Sequence, residues 1–212
     1  MRISEVFYSL QGEGAWAGCP MVFVRLQGCP FRCRWCDSAY TLDFEGGDEM
    51  ALPDVLRKVA EYRCKMVCIT GGEPLARPRD FEALVTALKA GGYWMEVETS
   101  GGYKLPWQLP IDSWVMDMKC PASGMERFNK YEEIPSLRSQ DQLKFVVAGR
   151  EDFDFALSVV EKHKPACQVL FTPAWGELPP ATLAEWVKAE SPAARVSLQL
   201  HKYIWEPNKR GV

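Results

Sequence analysis

No apolar run in this 212-residue sequence approaches the roughly 20 residues that a membrane-spanning helix needs. The opening Met1-Arg2-Ile3-Ser4-Glu5 also lacks the apolar stretch of a secretory signal, so a cytoplasmic protein without membrane contact is expected. There is no basic excess either: 25 Lys and Arg stand against 28 Asp and Glu, a formal net charge of −3. That argues against a nucleic-acid binder working through a general positive field, but not against a small anionic substrate held by one or two placed arginines. Histidine is nearly absent, with two in the chain. His163, at a helix end, reads as solvated, and His201 as a hydrogen-bonded structural residue. Internal repeats and low-complexity segments are missing. With one sizeable core's worth of residues and no natural break, 1–212 is expected to form a single domain.

What is present is alternation. Short runs rich in Val, Ile, Phe and Tyr read as strands near 3–8, 20–26, 66–70, 93–98, 113–118, 142–147, 167–172 and 195–200. Helical spacing links Leu52, Val55, Leu56, Val59 and Tyr62, and again Phe81, Leu84, Val85 and Leu88 before Gly91-Gly92. A third face is Phe155, Val159 and Val160, opened by Glu151 and Asp152; a weaker fourth is Leu183, Trp186 and Val187, opened by Pro179-Pro180. Gly46-Gly47-Asp48 reads as a loop. Strands alternating with helices imply parallel βαβ units. A full eightfold barrel takes about 250 residues. The chain is too short for that, and an α/β fold of the open, partial (β/α)6-type barrel is expected, with its chemistry at the C-terminal ends of the strands.

The strongest local signal is Gly28-Cys29-Pro30-Phe31-Arg32-Cys33-Arg34-Trp35-Cys36-Asp37. Three cysteines at C-x3-C-x2-C follow a strand directly, and a short loop can wrap them around one cubic iron–sulfur cluster, leaving the fourth iron open. The alternative is a structural zinc knuckle with Cys19 as fourth ligand. Cys19 precedes the strand and Cys29 follows it; roughly 6 extended residues already span about 20 Å, so Cys19 makes a poor ligand. The triplet, with an aromatic before its third cysteine, resembles the radical S-adenosylmethionine (SAM) superfamily signature. That resemblance implies a 4Fe-4S cluster at Cys29, Cys33 and Cys36, which reduces SAM so that a 5′-deoxyadenosyl radical can take a hydrogen atom from substrate.

Met66-Val67-Cys68-Ile69-Thr70 ends in Gly71-Gly72-Glu73-Pro74. Two glycines allow close backbone approach to a ligand. The turn resembles the superfamily's GGE motif, which implies that Gly72 and Glu73 contact the amino group of the cofactor's methionine half. Glu96 and Glu98 share one face of a strand. Glu98 looks like a further cofactor contact, with a structural ion pair as the alternative. Asp117-Met118-Lys119 resembles another cofactor position, although only Lys119 matches the family's usual Ser-Pro-Lys. Thr172-Pro173-Ala174-Trp175 is a weaker candidate of the same kind.

Phe7-Tyr8-Ser9-Leu10-Gln11-Gly12-Glu13-Gly14 runs from a strand into a Gly-flanked loop. A Gln and a Glu on exposed backbone suit the N–H and carbonyl edge of a pterin or guanine-like ring. Arg25 offers a fork for a carboxylate, or else is a surface strand residue. LQGEG, VRLQGC, the cysteine triplet, TGGEP, ETSG, QLHKY and the closing NKRGV together resemble the 7-carboxy-7-deazaguanine synthase family. The resemblance implies ring contraction of 6-carboxy-5,6,7,8-tetrahydropterin with loss of ammonia. It also implies that Leu10, Gln11, Gly12 and Glu13 line the substrate, that Arg25 holds its carboxylate and that Thr70 touches its ring. Ser38 would give a hydroxyl to Mg²⁺, and either Pro207 or Val212 would reach the pocket. A flavodoxin or ferredoxin electron donor and a homodimer are further implications. Two rivals stay open: a glycyl-radical-activating enzyme, and a non-enzymatic zinc or cluster module. Cys64, Cys68, Cys120 and Cys167 read as buried thiols.

Overall fold

The computed structural model describes residues 1–212. Nine strands form one sheet: β1 (Arg2–Leu10), β2 (Pro20–Leu26), β3 (Asp48–Glu49), β4 (Met66–Gly71), β5 (Trp94–Thr99), β6 (Ser113–Met118), β7 (Gln142–Val147), β8 (Gln168–Pro173) and β9 (Arg195–Val196). Their order is β3-β1-β2-β4-β5-β6-β7-β8-β9. From β2 to β9 every neighbour pair is parallel, while β1 and β3 add an antiparallel edge. The sheet stays open, and its six long parallel strands make the partial barrel. Gly46-Gly47-Asp48 is not wholly a loop, because Asp48 and Glu49 pair with β1.

Helices α1 (Leu52–Glu61), α2 (Pro78–Ala90), α3 (Arg150–His163) and α4 (Pro180–Glu190) cover the outer face; α5 (His201–Ile204) is a single turn. Two crossovers depart from the expected alternation. Residues 100–112 carry no helix, and 119–141 form three short 3-10 turns. The buried Glu133 carboxylate pins the first of these segments by accepting the Leu105 N–H at 3.2 Å and the Trp107 indole N–H at 3.0 Å. No helix is long and apolar enough to cross a membrane.

Strand alternation separates two environments. Val67 and Ile69, Met95 and Val97, Trp114 and Met116, and Leu143 and Phe145 join Val55, Val59, Phe81 and Leu84 of the helices in the main core. Fully burying one such side chain is worth about 1.5–3 kcal/mol. The opposite face presents Cys68, Thr70, Glu96, Glu98, Asp117, Gln142 and Lys144 to the lumen. On α3 the buried face is Phe153, Ala156 and Val159; Phe155 and Val160 are only half-buried, a rotation from the expected stripe.

The last strand is much shorter than expected. Only Arg195 and Val196 pair with β8. The Ser197 N–H still donates to the Phe171 carbonyl of β8 at 2.8 Å, and beyond it the chain leaves the sheet for the loop after β1: Ser197 Oγ accepts the Gly14 N–H at 2.9 Å, and the Leu200 N–H donates to the Gly12 carbonyl at 2.8 Å. That loop spans the open seam from the β1 edge to the chain beyond β9. His201 therefore starts α5 and does not end a strand.

Candidate active site

The cysteine loop leaves β2 at its C-terminal end and is laced to the turn after β4. Gly72 N–H donates to the Leu26 carbonyl at 3.1 Å, and Glu73 N–H to the Gly28 carbonyl at 3.0 Å. A Cβ at Gly72 would lie 2.4 Å from the Gly28 oxygen and 2.8 Å from Cys29 Cβ, so only glycine allows this approach. Gly71, at φ +142°, makes the turn itself. Cys29, Cys33 and Cys36 all line one cavity of about 520 Å³, and none of the other five cysteines does. Burial pushes all three thiols up, Cys29 to about 11. Three cysteines on one cavity wall can each give a thiolate to one cluster, whose cationic iron would supply the charge that burial otherwise denies the deprotonated sulfurs. Cys19 precedes β2 at the far end of a seven-residue strand, which removes the four-cysteine zinc geometry.

The same cavity is lined by Leu10, Gln11, Gly12, Glu13, Arg25 and Thr70. Ser38, Gly72, Glu98, Asp117, Lys119 and Trp175 line it too, as do both Pro207 and Val212. Five residues singled out in the sequence lie behind its wall. Glu73 is buried, and its carboxylate is taken by the Leu75 N–H (2.9 Å), the Thr99 hydroxyl (2.9 Å) and the Ser100 N–H (2.7 Å). It braces the turn against β5, in place of the direct side-chain contact expected for it. Met118 packs in the apolar core, and Thr172, Pro173 and Ala174 are buried outside the cavity.

An ordered charge array runs through the lumen. Lys119 Nζ is 3.1 Å from Asp117 Oδ2, and Lys144 Nζ is 3.5 Å from that same oxygen and 2.5 Å from Glu13 Oε2. Gln199 Nε2 donates to Glu13 at 3.1 Å and to Asp37 at 3.0 Å, and Lys202 Nζ lies 3.4 Å from Asp37. Burial opposes the Lys144 charge, but Glu13, Asp117 and Glu98 outweigh it and hold the ammonium well above its usual range. Burial likewise opposes the Asp37 charge, yet Lys202, the Ser38 hydroxyl and Lys144 draw that carboxyl down to about 2. Asp117 Oδ1 is buried with no protein partner, which leaves a free acceptor on the wall.

Below this array lies a second cluster. Cys68, Glu96 and Glu98 present ligand atoms within 4.8 Å of one another. The Gln11 amide already occupies their midst, donating to Glu96 Oε1 at 2.6 Å, Glu98 Oε1 at 3.1 Å and Cys68 Sγ at 3.6 Å. Thr70 Oγ1 donates to Glu98 at 2.7 Å, and Gln142 Nε2 to Glu96 at 2.9 Å. Lys144, Gln142, Asp37, Gln199 and Lys202 were not among the sequence candidates. The signal for two of them was there: Gln142 and Lys144 alternate with buried Leu143 and Phe145, the same inward-polar pattern as Glu96 and Glu98. His201, read as structural, lines the cavity instead, its ring packed where a Gly12 side chain would be.

Residues 23–108 match the Radical SAM superfamily. Over its full length the chain is 37% identical to the 7-carboxy-7-deazaguanine synthase of Koribacter versatilis, covering 100% of that protein. It is 36% identical to the synthase of Chlorobaculum tepidum, covering 100% of this chain and 97% of the relative. For the Leptospira interrogans synthase the identity is 38%, over 99% and 97%. The crystal structure of QueE from Escherichia coli superposes with a TM-score of 0.72 at 27% identity, covering 94% of each chain.

Proposed function

The chain belongs to the 7-carboxy-7-deazaguanine synthase family of radical SAM enzymes, and from that premise we propose how its own residues divide the work. The whole of 1–212 acts as one radical SAM domain that contracts 6-carboxy-5,6,7,8-tetrahydropterin to 7-carboxy-7-deazaguanine with loss of ammonia. The observation that carries this reading is convergence: the three cluster thiols, the LQGEG loop and Arg25 share one cavity.

Cys29, Cys33 and Cys36 hold a 4Fe-4S cluster. The Gly72 backbone, Glu98, Asp117, Lys119 and Trp175 would hold SAM, with the unpartnered Asp117 Oδ1 open to one of its donors. Ser38 offers a hard oxygen for Mg²⁺, beside the anionic Asp37 at 2.9 Å. Bound together, cluster and SAM supply the one-electron chemistry that removes a hydrogen atom from C6 of the pterin, while Mg²⁺ supplies Lewis acidity at substrate oxygens.

The protein's own part is placement. Glu13 faces the amide edge of the ring, with Gln11 fixing the loop beneath it; Thr70 and His201 flank the ring, and Arg25 takes the carboxylate. Lys144 balances Glu13 and Asp117, so that two carboxylates can stand in one desolvated cavity. Phe31 and Trp35 keep water from the cluster end. A flavodoxin or ferredoxin as reductant, a homodimer and a cytoplasmic location complete the proposal.

The test is an anaerobic reaction of reconstituted protein with dithionite, SAM, Mg²⁺ and 6-carboxytetrahydropterin, read by mass spectrometry. Formation of 7-carboxy-7-deazaguanine supports the reading. Release of 5′-deoxyadenosine and methionine alone keeps the superfamily chemistry and removes the substrate assignment. Activation of a glycyl-radical protein in place of the pterin reaction establishes the rival.

A further inference from the structure

β1 and β2 pair with a fault. Ile3 lies opposite Leu26, but Glu5 lies opposite Arg25, so two steps of β1 match one step of β2. Ser4 is the extra residue of a bulge, a device that re-aims side chains. On an unbroken ladder Ser4 would face Arg25; the bulge places Glu5 there.

The Glu5 carboxylate collects three groups on one oxygen. Its Oε1 accepts the Arg25 Nε–H at 3.0 Å and the Tyr40 hydroxyl at 2.6 Å, and lies 4.0 Å from Arg210 Nη2. The Arg210 guanidinium also sits 3.9 Å from the centre of the Tyr40 ring. The Glu5 and Arg25 side chains are 15% and 17% exposed, so this pairing is poorly screened by solvent. Arg25 spends only Nε on the protein. Its two Nη groups have no protein hydrogen-bond partner, and they form the edge that binds a carboxylate bidentately.

We propose that Glu5 is a positioning residue with two linked tasks: it presents the Arg25 fork to the substrate's carboxylate, and through Tyr40 and Arg210 it holds residues 207–212 across the cavity. This rests on the reading that Arg25 takes that carboxylate. The link is a matter of charge. Arg25 by itself neutralises Glu5, so the contact of Arg210 with Glu5 is an added and exposed one. A bound carboxylate adds a second anion, and Arg210 is the second cation that restores balance. Substrate therefore favours docking of the 207–212 strap, and by linkage a docked strap tightens substrate.

The experiment uses the anaerobically reconstituted full-length protein with 6-carboxypterin and, as the control lacking a carboxylate, pterin. Affinity is measured by calorimetry, and trypsin cleavage after Lys209, read by intact mass, reports strap docking. In the wild type, 6-carboxypterin is expected to slow cleavage and pterin not to. Glu5→Gln, which keeps side-chain shape, is expected to weaken 6-carboxypterin about tenfold, as for a charged hydrogen bond, and to abolish the protection. Arg210→Ala, at a site 55% exposed and without bearing on the fold, is expected to cost about threefold and also to abolish protection. Wild-type affinity in Glu5→Gln, or carboxylate-dependent protection that persists in Arg210→Ala, overturns the proposal. Arg25→Lys separates the two layers. If it leaves the preference for 6-carboxypterin over pterin unchanged, the assignment of Arg25 fails. If it removes that preference while Glu5→Gln does not, only the role of Glu5 fails.

Discussion

The Gln11 amide nitrogen stands 2.6 Å from Glu96 Oε1 at the floor of the lumen. Its orientation is fixed from the other side, where Gln11 Oε1 accepts the Glu13 N–H at 3.2 Å. Gln142 repeats the arrangement, donating to Glu96 and accepting the Ala15 N–H at 2.7 Å. Both amides are thus pinned by backbone, and Glu96 receives an N–H on each oxygen.

Burial first, and then the neighbouring Glu98, push the Glu96 carboxyl up to about 8. An acid raised on folding binds more protons in the native than in the unfolded state. The stability it contributes is complete below the unfolded value near 4.5, declines as pH rises, and is gone above about 8. The slope between these limits is at most about 1.4 kcal/mol per pH unit. Thermal melts from pH 5 to 8 should therefore fall more steeply for the wild type than for Glu96→Gln. The variant itself should be less stable at pH 5, because one pinned N–H loses its acceptor, at about 1–3 kcal/mol.

Replacing Cys29, Cys33 or Cys36 by Ala should remove the brown chromophore and cut bound iron well below four per chain, with SAM cleavage falling to background. Cys19→Ala and Cys64→Ala should keep both. Iron analysis and visible absorbance of anaerobically reconstituted protein decide this, independently of the substrate.

Lys144→Met removes the cation that Glu13 and Asp117 share, leaving Asp117 its Lys119 partner and Glu13 only the Gln199 amide. Loss of one partner from such a buried array should cost about 3 kcal/mol, seen as a lower urea midpoint. Adding Glu13→Gln to that variant should restore part of the stability while leaving the pterin reaction impaired, which separates the charge balance from ring recognition.

A Cβ at Gly12 would fall 2.1 Å from His201 Nδ1. The clash is with a side chain that can swing, and the Gly12 backbone is not left-handed, so Gly12→Ala should fold with a melting temperature within a few degrees of the wild type. Its cost should appear as a kcat/KM at least about tenfold lower, on the scale of 1.4 kcal/mol, as His201 is driven from its place in the cavity.

Most strands were readable because their outward faces are Val, Ile, Phe and Met runs that only a covered sheet explains. β2, β6 and β7 match their expected bounds, and the other long strands differ at their ends by one or two residues. What escaped was set by partners distant in sequence. The residues after Val196 look like strand, yet Gly12 and Gly14 draw them out of the sheet. Asp37 and Lys202 carry no signal of their own until the fold brings them within 3.4 Å of each other. The cysteine triplet and GGEP turn were legible because their chemistry is local. Glu73 was misplaced because its three donors come from two separate segments, one of them β5 and its following turn. Glu5 was invisible, since a bulge is a property of register and not of composition.

Because the sheet never closes on itself, residues 11–14 are at once wall and reader of the chamber. In a barrel sealed by strands, a lineage can alter its substrate preference in a loop while the wall stays intact. Here a change of reader is also a change of seal. A graft meant to transfer specificity from one relative to another would have to carry Gln142, Ser197 and Gln199 along with the loop, as one unit of inheritance.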